Sequence, residues 1–543
     1  MVCDWLYMLG RERVNEVKED VEHIVRRMAK NVYFNGVSMM VRFLSAIIQS
    51  IIVARFLGPT HFGSYILVTF IFVVAGILTN LGLTSVGTKY TAEYSGPENK
   101  ELRSKILGYI LKIKVIMVVV VTAVLLVNAH CLATFFADAQ LKIYIVILAL
   151  TLIPSEIAVA FESVIRGMQE YKYLAYRTLL IAPLKIVLSF VLLKMGYGII
   201  ALLWLTLFVS FCELSIFFSF LKIKLGFSFN LRNPLPEEIR QKILKYNWQV
   251  AIIVIFDTIV WERSEVFFLG KYHPGAQVAF YGLAYTIAEG AMIFFPMIFS
   301  GVLMPVFSES YGRKDRQMVQ KIYKNSLRYL ALFSIPVCII IMMFSRMVIG
   351  LLYGSHYLPA ALILDILLIS GCLRVISSSS SSVQYGTENQ SFILKLGSVL
   401  AVFNIVLDFI LIPKFGAIGA ALANSITQVL GVFFGIANAC RITSVRFPLK
   451  DFSKILLAAS AMIPLIILAQ KILPGLMSLG VIPVAIALYL LTLWNVKIFM
   501  KNDLEIIRIV VERMPKSLQF LSGRLLHFIE KYAKFNTEYR TKK

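Results

Sequence analysis

The chain has 543 residues, 58% of them hydrophobic and only 16% charged, yet its formal net charge is +23. In a soluble protein that surplus would point to nucleic acid. Here the bases lie in loops and tails between long apolar segments, where they signal topology and meet anionic lipid headgroups, so a nucleic-acid role is set aside.

The elements follow in order. Residues 1–30 mix acids and bases on an amphipathic frame, which reads as a cytoplasmic or surface-lying helix and not as a signal peptide. A bilayer core is spanned by about 20 apolar residues, and about fourteen such segments follow. They are Val32–Leu57, Tyr65–Val86, Ile106–Ala129, Ile143–Val164, Leu174–Leu193, Ile199–Leu221, Trp248–Leu269, Phe280–Val306, Leu327–Phe344, Ala360–Val383, Phe392–Ile412, Ile418–Ala439, Ile455–Leu473 and Leu479–Met500. The polar loop 223–245, with Pro234 and Pro236, divides a first six-helix bundle (31–222) from a second (246–440). An extra helix pair occupies 453–500. A basic tail, 501–543, carries apolar residues at helical spacing that suit an interfacial helix.

Basic and nearly base-free loops alternate along this series. Lys89–Lys105, Arg166–Arg177, Lys222–Lys245, Arg313–Arg328 and Arg441–Lys454 are rich in Lys and Arg, whereas Gly58–Gly63 and Cys131–Gln140 have none. That asymmetry marks the cytoplasmic side, and with an even number of spans it places both basic termini there. The expectation is an all-α, multi-pass protein of the cell membrane. The six cysteines, Cys3, Cys131, Cys212, Cys338, Cys372 and Cys440, show neither CxxC nor Cys/His spacing, so neither a disulfide framework nor a metal site is indicated. No metal or other cofactor is expected. Without a P-loop, a nucleotide domain or a catalytic constellation, the chain reads as a non-enzyme.

The two bundles repeat one another. Leu57-Gly58 with Phe62-Gly63-Ser64-Tyr65 matches Leu269-Gly270 with Phe280-Tyr281-Gly282. The following inside loops correspond (Ala92-Glu93-Tyr94 and Ser308-Glu309-Ser310-Tyr311), as do Lys194-Met195-Gly196-Tyr197-Gly198 and Lys414-Phe415-Gly416-Ala417-Ile418-Gly419. Units of six spans that start and end on one side are parallel repeats, related by an axis along the membrane normal.

These residues carry a family likeness. Ala54-Arg55-Phe56-Leu57-Gly58-Pro59, Phe268-Leu269-Gly270 with Ala279-Phe280-Tyr281, and the stretch from Asn404 through Asp408 to Ala423 resemble the multidrug/oligosaccharidyl-lipid/polysaccharide exporter superfamily. Within it, the chain is most similar to the polysaccharide (O-antigen type) flippase branch. The likeness covers roughly residues 30–500. Two departures are Glu265 and Ala279, where the family often has Asp and Gly. The resemblance implies two bundles in a V shape, alternating access, and a polyprenyl-(di)phosphate-linked oligosaccharide moved from the inner to the outer leaflet. It further implies membrane lipids and glycan assembly proteins as partners, and a groove for the polyprenyl tail beside the last two spans.

With that implied cargo, charged residues at bilayer depth become candidates, because each needs a partner or a hydrated cavity. Arg42, Lys185, Arg263 and Arg374 are the bases expected to hold the anionic headgroup, Arg42 and Arg374 foremost, since a guanidinium matches phosphate bidentately. A structural ion pair or a snorkelling side chain is the competing use. Arg55 reads as an interfacial anchor. Asp257, Glu262 and Glu265 fall within three turns of one helix, and together with Asp408 they are the candidates for coupling to a H+ or Na+ gradient. The competing use is neutralisation by Arg263. Glu289 and Asp365 are further candidates, while Glu156, Glu162 and Glu213 read as facing the inside mouth. For the sugar path the sequence offers Asn424 and Gln428, which share a helix face, and Ser378 and Ser381 from the run Ser377–Ser382. Helix packing accounts for these equally well or better. Pro296 and Pro305 can bend span eight.

Two other readings use the same architecture or cargo. A cation-coupled exporter of small organic cations would favour an acidic cavity, against Arg42, Lys185 and Arg374. A membrane glycosyltransferase or polymerase acting on lipid-linked sugars would call for a large outside loop, and these loops are short.

Overall fold

A chain this apolar must satisfy its backbone groups internally, and the described residues do so almost entirely as helix. The structure, a computed structural model, describes residues 2–498 apart from residues 95, 97–98, 225, 227–234, 262–263, 314, 388 and 474. Inside helices, the side chains of residues 2–29, 32, 224, 252–253, 255–261, 293–302, 304–306, 308–309, 312 and 390 also lie outside the description. In chain order the helices are α1 (Val2–Asn80), α2 (Leu83–Glu93), α3 (Lys100–Phe135), α4 (Leu141–Gly167), α5 (Tyr171–Lys194), α6 (Gly198–Ser219), α7 (Glu237–Trp261) and α8 (Ser264–Tyr272). They continue with α9 (Ala276–Gly312), α10 (Arg316–Met343), α11 (Ser345–Tyr353), α12 (Ala360–Gly386), α13 (Gln390–Thr443), α14 (Leu449–Ser460), α15 (Met462–Ile472) and α16 (Ile482–Asn495).

Among the described residues ten helices are long and apolar enough to cross a membrane. Two of them, Tyr33–Asn80 and Ser391–Thr443, are 48 and 53 residues long. At about 1.5 Å per residue each exceeds twice a hydrocarbon core of about 30 Å. Each is broken at a glycine with left-handed φ, Gly58 (φ 70°) and Gly416 (φ 55°). Pro59 follows the first break and Pro413 precedes the second, so a residue without an N–H flanks each turn. The number fourteen stays an expectation, because α7 with α8, and α9, include residues outside the description.

The chain divides into two compact units. The first comprises Met1–Phe294, Ser345–Arg374 and Thr387–Ala437, and the second Phe295–Phe344, Val375–Gly386 and Asn438–Lys543. In the first, α3 packs on α4, α4 on α6, and α1 along α5. A core of Val86, Tyr90, Ile106, Ile110, Val164 and Leu221 also takes in Leu235 and Ile243 at the start of α7. There α2 is fastened to α7: Lys242 pairs with Glu93 at 2.6 Å, the Tyr90 hydroxyl donates to the Lys242 carbonyl at 3.1 Å, and the Lys89 ammonium sits 3.9 Å over the Tyr246 ring. The Glu93 carboxylate holds the Lys242 ammonium above its usual range. In the second unit α14 and α16 pack on α10. The Tyr489 hydroxyl donates to the Leu332 carbonyl at 2.8 Å, and buried Arg328 donates to the Ile498 carbonyl at 3.3 Å. Outward, α3 presents an apolar row: Ile116, Val119, Val120, Val124 and Val127 are exposed, Val127 by 81%. Only a lipid phase solvates such a row without cost.

Two seams of the first unit share one register. Along α1 and α5, Ser38 and Thr178 share a hydrogen bond of 3.0 Å and Gln49 donates to Ser189 at 2.7 Å, each pair 140 residues apart. Along α8, α9 and α13, Asn404 donates to Ser264 at 3.1 Å, and the Gln277 side-chain oxygen accepts from the Ala417 N–H at 3.0 Å. The His273 ring lies 3.2 Å from the Pro413 carbonyl. Those pairs too are 140 residues apart.

Candidate functional site

The α1–α5 seam carries Arg42 and Lys185. On α1, Ser38, Arg42 and Gln49 fall on one face, and on α5, Thr178, Lys185 and Ser189 do the same. The parallel register sets Arg42 level with Ala182, so Arg42 and Lys185 differ by about 4.5 Å along the axis. Beside them α4, α5 and α6 hold a charge network. Glu162 pairs with Arg166 one turn on, at 2.5 Å, and with Arg177 at 2.7 Å, while Arg177 also reaches Glu213 at 3.0 Å. The guanidinium of Arg177 packs 5.2 Å from the centre of the Phe217 ring. Arg42 senses the charges of Glu162, Arg166, Arg177 and Glu213, and Lys185 senses that of Glu213. The network holds four bases, Arg42, Arg166, Arg177 and Lys185, against two carboxylates. Arg166 and Arg177 are engaged. Among the described residues neither Arg42 nor Lys185 makes an ion pair, so these two carry the positive surplus.

The second seam carries carboxylates. Glu265 on α8 is 1% exposed and Asp408 on α13 is 0% exposed, yet neither has a basic partner among the described residues. Their partners are polar and neutral. Glu265 Oε1 accepts from Asn424 at 2.9 Å and Asn404 at 3.3 Å. Asp408 Oδ2 accepts from Ser264 at 3.1 Å and Asn404 at 3.3 Å. Gln428 then donates to Asn424 at 2.7 Å. Four buried oxygens here have no hydrogen-bond partner: Glu265 Oε2, Asp408 Oδ1, Gln428 Oε1 and the Tyr281 hydroxyl. Two buried carboxylates so close in charge need a proton or a cation between them. Hard oxygen donors of this kind suit Na+.

Several expected residues fall elsewhere. Arg263 and Glu262, and the side chains of Asp257, Pro296 and Pro305, lie outside the described residues, as does the tail 501–543. Arg374 is half-buried and engaged. Of the candidates for the sugar path, Asn424 is turned to Glu265 and Gln428 to Asn424. Ser378 donates to the Val375 carbonyl of its own helix at 2.7 Å, and Ser381 is exposed. In the same run Ser380 bonds Tyr323 at 2.9 Å and Ser379 bonds Ser326, which is packing against α10. Arg55 donates to the Leu351 and Leu352 carbonyls, closing the C-terminal turn of α11. Of the three acids read as facing the inside mouth, Glu162 and Glu213 belong to the basic network, and Glu156 pairs with Lys114 at 2.5 Å. That Lys114 side chain is 1% exposed, and Glu156 also accepts from Thr79 at 2.9 Å.

Known proteins share the family and the fold. The chain matches a family model described as "Polysaccharide biosynthesis protein" over residues 52–362, more than half its length. It is 25% identical over 203 residues to the probable low-salt glycan biosynthesis flippase Agl15 of Haloferax volcanii, covering 37% of this chain and 39% of that one. It is 28% identical over 162 residues to the lipid II flippase MurJ of Thermosipho africanus, covering 29% of this chain and 33% of that one. The chain thus spans well under half the length of these curated relatives in the matched segments. A solved lipid II flippase MurJ in an inward closed conformation superposes with a TM-score of 0.68 at 19% identity, over 85% of this chain and 98% of that one. An inward-facing multidrug resistance MATE family transporter of the MOP superfamily superposes with a TM-score of 0.64 at 18% identity, over 76% and 99%. The helices are therefore arranged as in those transporters, and the chain belongs to the polysaccharide biosynthesis protein family.

Proposed function

We propose that the protein is a flippase that carries a polyprenyl-(di)phosphate-linked oligosaccharide from the inner to the outer leaflet of the cell membrane by alternating access. The observation that carries this reading is the uncompensated pair Arg42 and Lys185 on one seam: two cations at membrane depth, beside a network whose acids are already engaged. An anionic headgroup supplies the missing charge. The relatives support it, since Agl15 and MurJ are both described as flippases. Both termini are cytoplasmic in this reading, and the enzymes that build the lipid-linked glycan are its natural partners. The protein performs no bond chemistry. We further assign the Glu265–Asp408 pocket to a coupling cation, H+ or Na+, whose gradient drives the cycle.

The test is flipping in proteoliposomes of a polyprenyl-diphosphate-linked sugar. Wild type is expected to flip, and Arg42→Ala and Lys185→Ala are each expected to reduce the rate strongly. Full activity in both variants removes the headgroup site. An intact wild type that exports organic cations and leaves the lipid-linked sugar unmoved overturns the function.

A further inference from the structure

Tyr281 belongs to neither charge cluster as the sequence presents them, yet it stands where they can communicate. Its side chain is 0% exposed, and its hydroxyl, which completes no hydrogen bond of full geometry, faces Glu265 on α8 and lies within electrostatic reach of Asp408 on α13. On its own helix the facing titratable group is Tyr285, with ring centroids 5.9 Å apart. Glu265 Oε2 and Asp408 Oδ1 are unpartnered too. A buried phenol left unpaired is costly, and a phenol next to a carboxylate can do two things. Moving closer, it can donate its O–H to a carboxylate of the empty pocket. When a cation is present it turns a lone pair toward that cation instead.

The helix that carries Tyr281 also touches α1 closely. Gly282 faces Ile66, where an added Cβ would stand 2.8 Å from Cδ1, and Gly290 faces the ring of Phe43, the neighbour of Arg42. Glycine at both positions lets α9 and α1 approach as small residues do between membrane helices. Of the two contacts, that of Gly290 with Phe43 lies on the α1 segment that holds Arg42, so a displacement of α9 reaches that segment there.

We propose that Tyr281 is a positioning residue that ties cation occupancy of the Glu265–Asp408 pocket to the headgroup site through α9 and its glycine face against α1. The proposal rests on the cation-coupling reading above and adds the element that transmits it.

The experiment uses the purified full chain in detergent, with a polyprenyl diphosphate as probe. Its affinity is measured in sodium chloride and in choline chloride at equal ionic strength, and at pH values on either side of neutral. The readout is the ratio of affinities with and without the cation, with melting temperature as the folding control. Wild type is expected to show a ratio of about fivefold or more, and Tyr281→Phe a ratio within about twofold. Gly290→Ala perturbs the α9 contact with Phe43, the neighbour of Arg42, away from the pocket, and is expected to lower the ratio as well. A wild-type ratio retained in both variants overturns the proposal. A wild type that binds the probe with no cation dependence overturns the proposal and the coupling reading together, and leaves the headgroup site standing. If wild type does not bind the probe, the headgroup reading fails. The rise in melting temperature on adding sodium then decides: loss of that rise in Tyr281→Phe supports a role for the hydroxyl in the pocket, and its retention overturns the proposal.

Discussion

The two seams of the first unit are built alike and charged oppositely. On α1 and α5 the bases outnumber the acids, the surplus sits on Arg42 and Lys185, and Arg42 is exposed. On α8 and α13 the titratable groups are acidic and fully buried, and every described partner of Glu265 and Asp408 is neutral. A third site, Lys114 with Glu156, is buried and balanced. Burial alone therefore does not mark a binding site here. What distinguishes the two seams is burial or membrane depth with a titratable group left without an opposite charge, and such a group is the kind that calls for a ligand.

That distinction can be broken by the sign of mutational effects. The largest stability loss is expected at the balanced pair. Lys114→Met strands the Glu156 carboxylate and should cost about 3–5 kcal/mol, whereas Lys114→Met with Glu156→Gln should recover most of it. Chemical unfolding in detergent measures both, and an equal loss in the double variant would show that the pair is not what holds α3 to α4. Next, Arg42→Ala and Lys185→Ala each remove a charged contact worth about 1.5–3 kcal/mol, so affinity for a polyprenyl diphosphate should fall about 10- to 100-fold. Neither should destabilise the empty protein. A headgroup affinity unchanged by both would leave the positive surplus without a role.

At the acidic seam the sign reverses. Asp408→Asn makes permanent the neutrality that a shared proton otherwise supplies, so in sodium-free buffer at alkaline pH, where that proton is lost, it should raise stability by about 1 kcal/mol, and it should abolish the stabilising effect of added sodium. A loss of stability would mean that the pair already shares a counter-charge. The smallest effect is expected at Glu93 and Lys242, an exposed pair where α2 meets α7. Glu93→Gln should leave the melting temperature within scatter near neutral pH and become indistinguishable from wild type in strong alkali. Because Glu93 raises the Lys242 titration, the contribution of the pair is present below it and lost as pH rises through it.

Much of this was legible in the sequence. Apolar length marked a multi-pass, all-helical chain, and Gly58-Pro59 marked the first turn, because left-handed φ and a missing N–H are local properties. Arg42, Lys185, Glu265 and Asp408 stood out because a charge in an apolar run is conspicuous. Three features did not stand out. Arg166 and Arg177 looked like loop charges, since their pairing with Glu162 and Glu213 joins three helices. Lys114 falls inside the expected span Ile106–Ala129, and its partner Glu156 comes from another helix, so the pair is invisible along the chain. Tyr281 is an aromatic residue in an apolar helix, and nothing in one dimension reveals that its hydroxyl lacks a partner. Helix rotation is the common cause: when every face is apolar, periodicity cannot say which face meets which neighbour.

The shared spacing of 140 residues has a historical meaning. Two helix pairs that meet in the same parallel register are what an ancestral duplication leaves behind, with the inter-helix offset conserved by the loops between them. Opposite charge would then have required only a few codon changes on a scaffold already copied. A basic seam and an acidic seam could in this way descend from a single gene segment.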